Sequence, residues 1–185
     1  MNRISLLIII LSVVNISLIS TTNIDKSYKH SFSGTYFPEK IDAFSIIEPK
    51  QYDNTGKDIG VGYRTSDEAE LTQYIYPALE NGQKTTLDAH FNNYKMALMT
   101  NYAEIKLIKE DKYVLNSKTG KYAQFTYIEE FHNKRQKLNS YLYIFEDKGW
   151  FIKIRVTCPI NNKKSCDSAI NEYLKKIPWP TMVRK

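Results

Sequence analysis

Three histidines, two cysteines and two acidic doublets are the residues of this 185-residue chain from which chemistry could be built, and their spacing argues against most of it. His30, His90 and His132 stand far apart, no two at the spacing of metal ligands, and none lies at a motif distance from a carboxylate. Each reads as a surface histidine, His90 on the polar side of a helix and His132 in a hairpin tip. Ile59-Gly60-Val61-Gly62-Tyr63 contains a G-x-G, but it sits in a strand pattern and lacks both the third glycine and a following helix. Glycines so placed mark a bulge or a close backbone contact, not a nucleotide loop. Glu110-Asp111 and Glu129-Glu130 are solvated acids, because adjacent strand residues face opposite sides of a sheet. No catalytic, cofactor or metal residue is assigned, and the chain is expected not to be an enzyme. The alternative is a small extracytoplasmic hydrolase whose acids meet only in the fold.

Cys158 and Cys166 have a different meaning. Seven residues separate them, which is neither the gap of a thiol oxidoreductase nor that of a zinc knuckle. A structural disulfide is the expected pairing, and closing so short a loop would contribute roughly 2–3 kcal/mol.

One surface could recognise a partner. Tyr74 and Tyr76, then Tyr141, Tyr143 and Phe145, then Phe151, Lys153 and Arg155, each occupy alternate positions of one strand. If those faces coincide, the sheet presents tyrosines edged with cations, a surface rich in rigid contact area and hydroxyl groups. If a helix or the leading segment covers them, they form a second core layer instead, and sheets of this class often have both faces covered.

The elements that must position these residues follow from periodicity. Residues 43–51, 59–65 and 70–76 read as three strands separated by polar links, the last stopped by Pro77. A helix follows, with Thr85 and Asp88 as a capping box and Leu87, Phe91, Tyr94, Leu98 and Tyr102 on one stripe. Four more strands, from Glu104 to Thr157, form a meander with turns at residues 116–120, 132–136 and 147–149. A second helix begins near Ser165 or Asp167 and runs to Lys176, with Cys166, Ile170, Tyr173 and Ile177 on its stripe. Cys158 falls on the apolar face of the last strand with Trp150, Ile152, Ile154 and Val156, so both sulfurs are expected on core-facing sides. The class is α+β: a mostly antiparallel sheet of about six to seven strands with two main helices, in the order βββ-α-ββββ-α.

The amino terminus supplies the compartment. Arg3, an apolar run from Ile4 to Val14 and a polar exit through Ser20 are the parts of a secretory signal peptide, and the run falls short of the roughly 20 residues a spanning helix needs. An uncleaved anchor is the alternative. Residues 1–20 are therefore assigned to the signal, 21–40 to an irregular leading segment, 41–180 to one domain and 181–185 to a basic tail. The whole chain carries a net +6. Losing residues 1–20 removes one arginine and no acid, so the balance stays mildly basic. That suits contact with anionic envelope surfaces, while the basic residues are too scattered for nucleic acid. Lys134, Arg135 and Lys137 sit in a hairpin tip and read as a solvated loop.

From Phe44 to Trp179 the order of strands and helices resembles the PsbP-like fold, found in extrinsic photosystem subunits and in small exported bacterial proteins of the DcrB type. The resemblance lies in element order and carries no functional residue with it. Together these readings predict an exported protein, periplasmic or secreted, with no membrane span once the signal is removed. It is expected to act as a non-catalytic binding or accessory protein on an unidentified protein or envelope component.

Overall fold

The computed structural model describes residues 26–80 and 83–184; the segment read as a signal peptide, residues 1–20, lies outside the described residues. Its elements are β1 (Tyr28–Lys29), β2 (Tyr36–Phe37), β3 (Lys40–Ile41), β4 (Phe44–Gln51), β5 (Ile59–Arg64), β6 (Glu70–Pro77), β7 (Leu79–Glu80), β8 (Gln83–Lys84), α1 (Leu87–Asn101), β9 (Lys106–Leu115), β10 (Lys118–Phe131), β11 (Lys134–Asp147), β12 (Trp150–Pro159) and α2 (Lys163–Lys175). The main sheet has eight antiparallel strands in the order β3-β4-β5-β6-β12-β11-β10-β9. The α+β class and the two helices stand as expected; the strand count is corrected from six or seven to eight, with two further two-stranded ribbons, β1-β2 and β7-β8. Two-residue strands are too short to show a period, which is why the sequence conceals them.

The long strands meet through tight turns. Asn116-Ser117, His132-Asn133 and Lys148-Gly149 all have positive φ, the geometry whose twist matches that of two-residue hairpins. The last strand, paired with β11 on one edge, pairs with β6 on the other, so the amino-terminal strands and the carboxy-terminal meander share one sheet.

A helix lies on each face. On one, α2 turns Cys166, Ile170, Tyr173 and Leu174 onto Ile152, Ile154 and Val156 of β12, making the larger core. Cys158 and Cys166 are joined by a disulfide, which links the end of β12 to α2 across a short 3-10 turn. Gln73, fully buried in this core, accepts a 2.8 Å hydrogen bond from the Tyr173 hydroxyl and donates to the Pro178 carbonyl, so its amide is satisfied at both ends.

On the other face α1 packs Phe91, with Leu87, Tyr94 and Leu98 beside it, against Phe125, Leu142, Ile144 and Phe151. The helix is capped by Thr86, whose hydroxyl accepts from the Ala89 amide, and not by Thr85 as the capping-box pattern predicts. Ion pairs Lys95–Glu110 (2.8 Å) and Lys121–Asp88 (2.7 Å) tie α1 to β9 and β10. Among the described residues no helix is long and apolar enough to cross a membrane.

The leading segment is more ordered than its composition predicts. His30 is buried, its ring hydrogen-bonded to the Ser33 hydroxyl (2.7 Å) and the Gly56 carbonyl (2.9 Å), so it is not a surface residue. The turn beyond it meets the carboxy-terminal tail, where the Thr181 and Met182 amides both donate to the Ser33 carbonyl.

Candidate functional site

Strand register decides which of the sequence-selected side chains meet. Phe151 lies opposite Tyr76 and Lys153 opposite Tyr74, so these four, with Arg155, share the face on which α1 lies. Tyr141 and Tyr143 pair with Val156 and Ile154, whose side chains point the other way. They belong to the α2 face, where they line a cleft of about 310 Å³ with Tyr113, Tyr122 and Asp167. The candidate face is therefore two surfaces on opposite sides of the sheet. The Tyr141 hydroxyl donates to Asp167 (2.5 Å), and Phe145 is fully buried in the α2 core.

On the α1 face the helix roofs part of the aromatic group and leaves the remainder at its border. Tyr76 and Phe151 are buried, while Tyr74, Lys153 and Arg155 are half-buried. Gly60 makes room for this arrangement. A side chain there would sit 3.0 Å from both the Tyr52 and Tyr74 rings, which pack 5.6 Å apart over the glycine backbone. The G-x-G thus marks a close contact, as its place in a strand suggests.

The Lys153 ammonium lies 3.7 Å from the Tyr94 ring centre, 4.1 Å from that of Tyr74 and 5.5 Å from that of Tyr76. Three ring faces make an aromatic cage, each attracting the cation through its quadrupole. The cage is filled from within, by the protein's own lysine. Burial pulls the Lys153 ammonium down to about 8, against the opposing charge of Asp58 and with that of Arg155. Two residues along the strand, the Arg155 guanidinium lies 5.9 Å from the Tyr102 ring, and its Nε and Nη1 are buried without an acceptor.

Beside the cage, α1, the end of β6 and the β7-β8 ribbon enclose an open groove of about 390 Å³, lined by Tyr76, Leu79, Thr85, His90, Tyr94 and Phe151. His90 stacks flat on Phe151, ring centres 3.9 Å apart, and a 2.8 Å hydrogen bond joins its Nε2 to the Tyr76 hydroxyl. Burial, and then the charge of Lys153, hold the imidazole at about 4, so it is neutral at physiological pH. The expectation of a solvated His90 is corrected. Its position four residues before Tyr94 and three after Leu87 places it beside the apolar stripe, the one sequence signal that could have found it.

The neutral imidazole is tied to the Tyr76 hydroxyl, and among the described residues no carboxylate is hydrogen-bonded to it. Among the described residues no three His, Cys, Asp or Glu converge as a metal site would require. What the groove offers is aromatic surface, a few hydrogen-bonding groups and a cation one ring away, the composition of a binding site.

The titration of His90 has a measurable consequence. Its folded value lies below the ordinary histidine range, so below about pH 6.5 the unfolded chain binds the proton first. The stability it contributes is present above that pH and is lost as pH falls towards 4. Urea unfolding at pH 7.5 and pH 5 should show the wild type losing more stability than His90→Gln, which retains a hydrogen-bonding group for Tyr76. Equal losses would mean that the ring is solvated.

No family model matches the chain, and no curated protein matches it. Solved structures do. A Pseudomonas aeruginosa protein of unknown function, PA94, superposes with a TM-score of 0.51 at 11% identity, over 85% of this chain and 99% of that one. Cyanobacterial PsbP from Synechocystis sp. PCC 6803 gives 0.52 at 9% identity, over 86% and 95%. LpqN of Mycobacterium tuberculosis gives 0.44 at 9%, over 75% and 78%. The domain has the PsbP-like fold. At such identities the likeness is one of backbone alone and carries no side-chain role to this chain.

Proposed function

We propose that this chain is an exported binding or accessory protein of the cell envelope, periplasmic or secreted, that holds the apolar part of a small ligand or partner in the groove beside α1. The observation that carries the reading is the groove itself: an open cavity of about 390 Å³ walled by Tyr76, His90, Tyr94 and Phe151, next to a caged cation. Cavities of this size that are mostly apolar with a few polar groups are where small molecules bind. The leader composition and a disulfide between the two cysteines support an oxidising destination.

A neutral fluorescent probe, N-phenyl-1-naphthylamine, tests the groove. Ala97 lines it from an exposed position on α1, so Ala97→Trp fills the space without disturbing either core. Saturable binding to wild type, weakened at least tenfold in Ala97→Trp, is the expected result. Absence of saturable binding, or equal binding to both proteins, overturns the groove as the site.

A further inference from the structure

On the α2 face, strand register builds a second cleft. Across β9, β10 and β11 the side chains form two successive rows, Lys109-Gln124-Tyr141 and Asp111-Tyr122-Tyr143. Tyr113 begins the next row opposite Gly120, where a side chain would overlap the Phe145 ring. Above the glycine the Tyr113 ring reaches Tyr143, centres 5.1 Å apart, and Tyr122 lies 4.8 Å from Tyr143. Asp167, Ile170 and Asn171 of α2 make the opposite wall, and the space between is the cleft of about 310 Å³. Tyr143 is only 5% exposed, and among the described residues neither its hydroxyl nor that of Tyr113 makes a hydrogen bond. A buried phenol that lines a cleft without a protein partner takes its hydrogen bond from what fills the cleft. Burial raises the phenols of Tyr113, Tyr122 and Tyr143, that of Tyr122 to about 12, so each keeps its proton and can both donate and accept.

The charges of this cleft are already paired. Asp167 holds the Lys163 ammonium and the Tyr141 hydroxyl, and Asp111 lies 3.9 Å from Lys109. Lys112, the remaining cation of the lining, acts on Asp88, which pairs with Lys121. The Gln124 amide accepts from the Tyr122 hydroxyl at 3.2 Å and has both N–H groups to give. We propose that the cleft binds a neutral saccharide, its ring C–H face on Tyr113 and Tyr122 and its hydroxyls on Asp167, Gln124 and the Tyr143 hydroxyl. A pyranose has both parts: C–H bonds that suit the negative face of an aromatic ring, and hydroxyls that each donate and accept. An anion or a cation would have to compete with an ion pair already made. An apolar ligand would strip water from those charges and return no hydrogen bond. The site lies across the sheet from the groove beside α1 and does not depend on it.

Chitotriose and maltotriose, two neutral trisaccharides, are the probes, read by saturation-transfer NMR with irradiation of the protein's aromatic protons. Saturable binding of either, with transfer to the sugar's ring protons, is the expected result. Tyr122→Leu, which keeps bulk and removes the ring face, should weaken it about fivefold or more. Asn171→Arg should do the same by filling the cleft from an exposed position of α2, one turn beyond Asp167. Cooperative thermal unfolding reports that each variant is folded. Ala97→Trp, which fills the other groove, should bind as the wild type does. Failure of both trisaccharides to saturate at about 10 mM overturns the site. So does binding that neither cleft variant weakens, or binding lost in Ala97→Trp, which would place the saccharide in the groove. Deacetylated chitotriose, a cation, and trigalacturonate, an anion, should each bind about threefold or more weakly than the better neutral probe. Tighter binding of either overturns the neutral ligand. N-acetylglucosamine then separates a free sugar, for which it equals chitotriose, from a glycan chain, for which the trimer is tighter, and either result supports the site.

Discussion

Trp150→Ala should destabilise the protein by about 3–5 kcal/mol, the range for deleting a large aromatic from a packed core. The indole is almost wholly buried at the start of β12. It meets the edge of the His30 ring with centres 5.6 Å apart, and its Nε1 donates to the Met182 carbonyl (3.2 Å). One side chain therefore joins the β1-β2 ribbon, the main sheet and the carboxy-terminal tail. The tail is held there further by Thr181, whose hydroxyl donates to the Gly34 carbonyl, and by the Lys148 ammonium on the Thr181 carbonyl. Removing the ring leaves a cavity and frees both termini at once. For a domain of this length the midpoint of thermal unfolding should fall by roughly 6–20 °C. Calorimetry measures it, and a fall of less than about 3 °C would show that the clasp contributes little to stability. Trp150→Phe, which keeps one aromatic ring and loses the pyrrole with its donor, should lie between the two.

Cutting the disulfide comes next in size. Cys158→Ala with Cys166→Ala opens a loop whose closure, on the chain-entropy estimate, contributes roughly 2–3 kcal/mol. Both residues are buried in the core that α2 makes with β12, so alanine adds no buried polar group and mostly reports the loss of the cross-link and two sulfur atoms. The midpoint should fall by about 4–12 °C. Reductant should lower the wild type by a similar amount and leave the double variant unmoved. A wild type insensitive to reductant, with two thiols open to alkylation under denaturing conditions before any reductant is added, would mean that the bridge does not form. The inference of an oxidising destination would then lose one of its two supports.

The pattern of burial explains why the site stands on the α1 face. Across β12 the side chains under α2 are Trp, Ile, Ile, Val and Cys, a continuous apolar row, whereas those facing α1 run Phe151, Lys153, Arg155 and Thr157. The second row begins as core and ends in charges, and α1 roofs its apolar end. Lys153 lies against Tyr94 in the middle of α1, and Arg155 beside Tyr102 at the helix's carboxy-terminal end. Their neighbours are tyrosines, which tolerate burial through the ring and hold a cation by its face. Burial raises the Tyr74 phenol to about 12 and pushes Tyr76 higher, so neither hydroxyl ionises to neutralise Lys153. The positive character of the face persists at physiological pH.

What the residues determined alone was local. Alternation over ten or more residues in β10, β11 and β12 gave the meander, because each strand carries its own two-residue period. The stripe Cys166, Ile170, Tyr173 gave α2, and its phase together with that of β12 brought the two sulfurs to the same layer. The order of those strands and helices gave the α+β class. What tertiary structure decided was every relation between elements. Tyr141 and Phe151 each occupy an alternating face, but which faces coincide depends on the register of β12 against β6 and β11, and a shift of one residue would exchange them. His30 sits in no periodic pattern, and its burial involves Gly56 and Trp150, residues far away in the chain. The groove exists because α1 settles over one end of a row of side chains, and a sequence read strand by strand has no term for where a helix comes to rest.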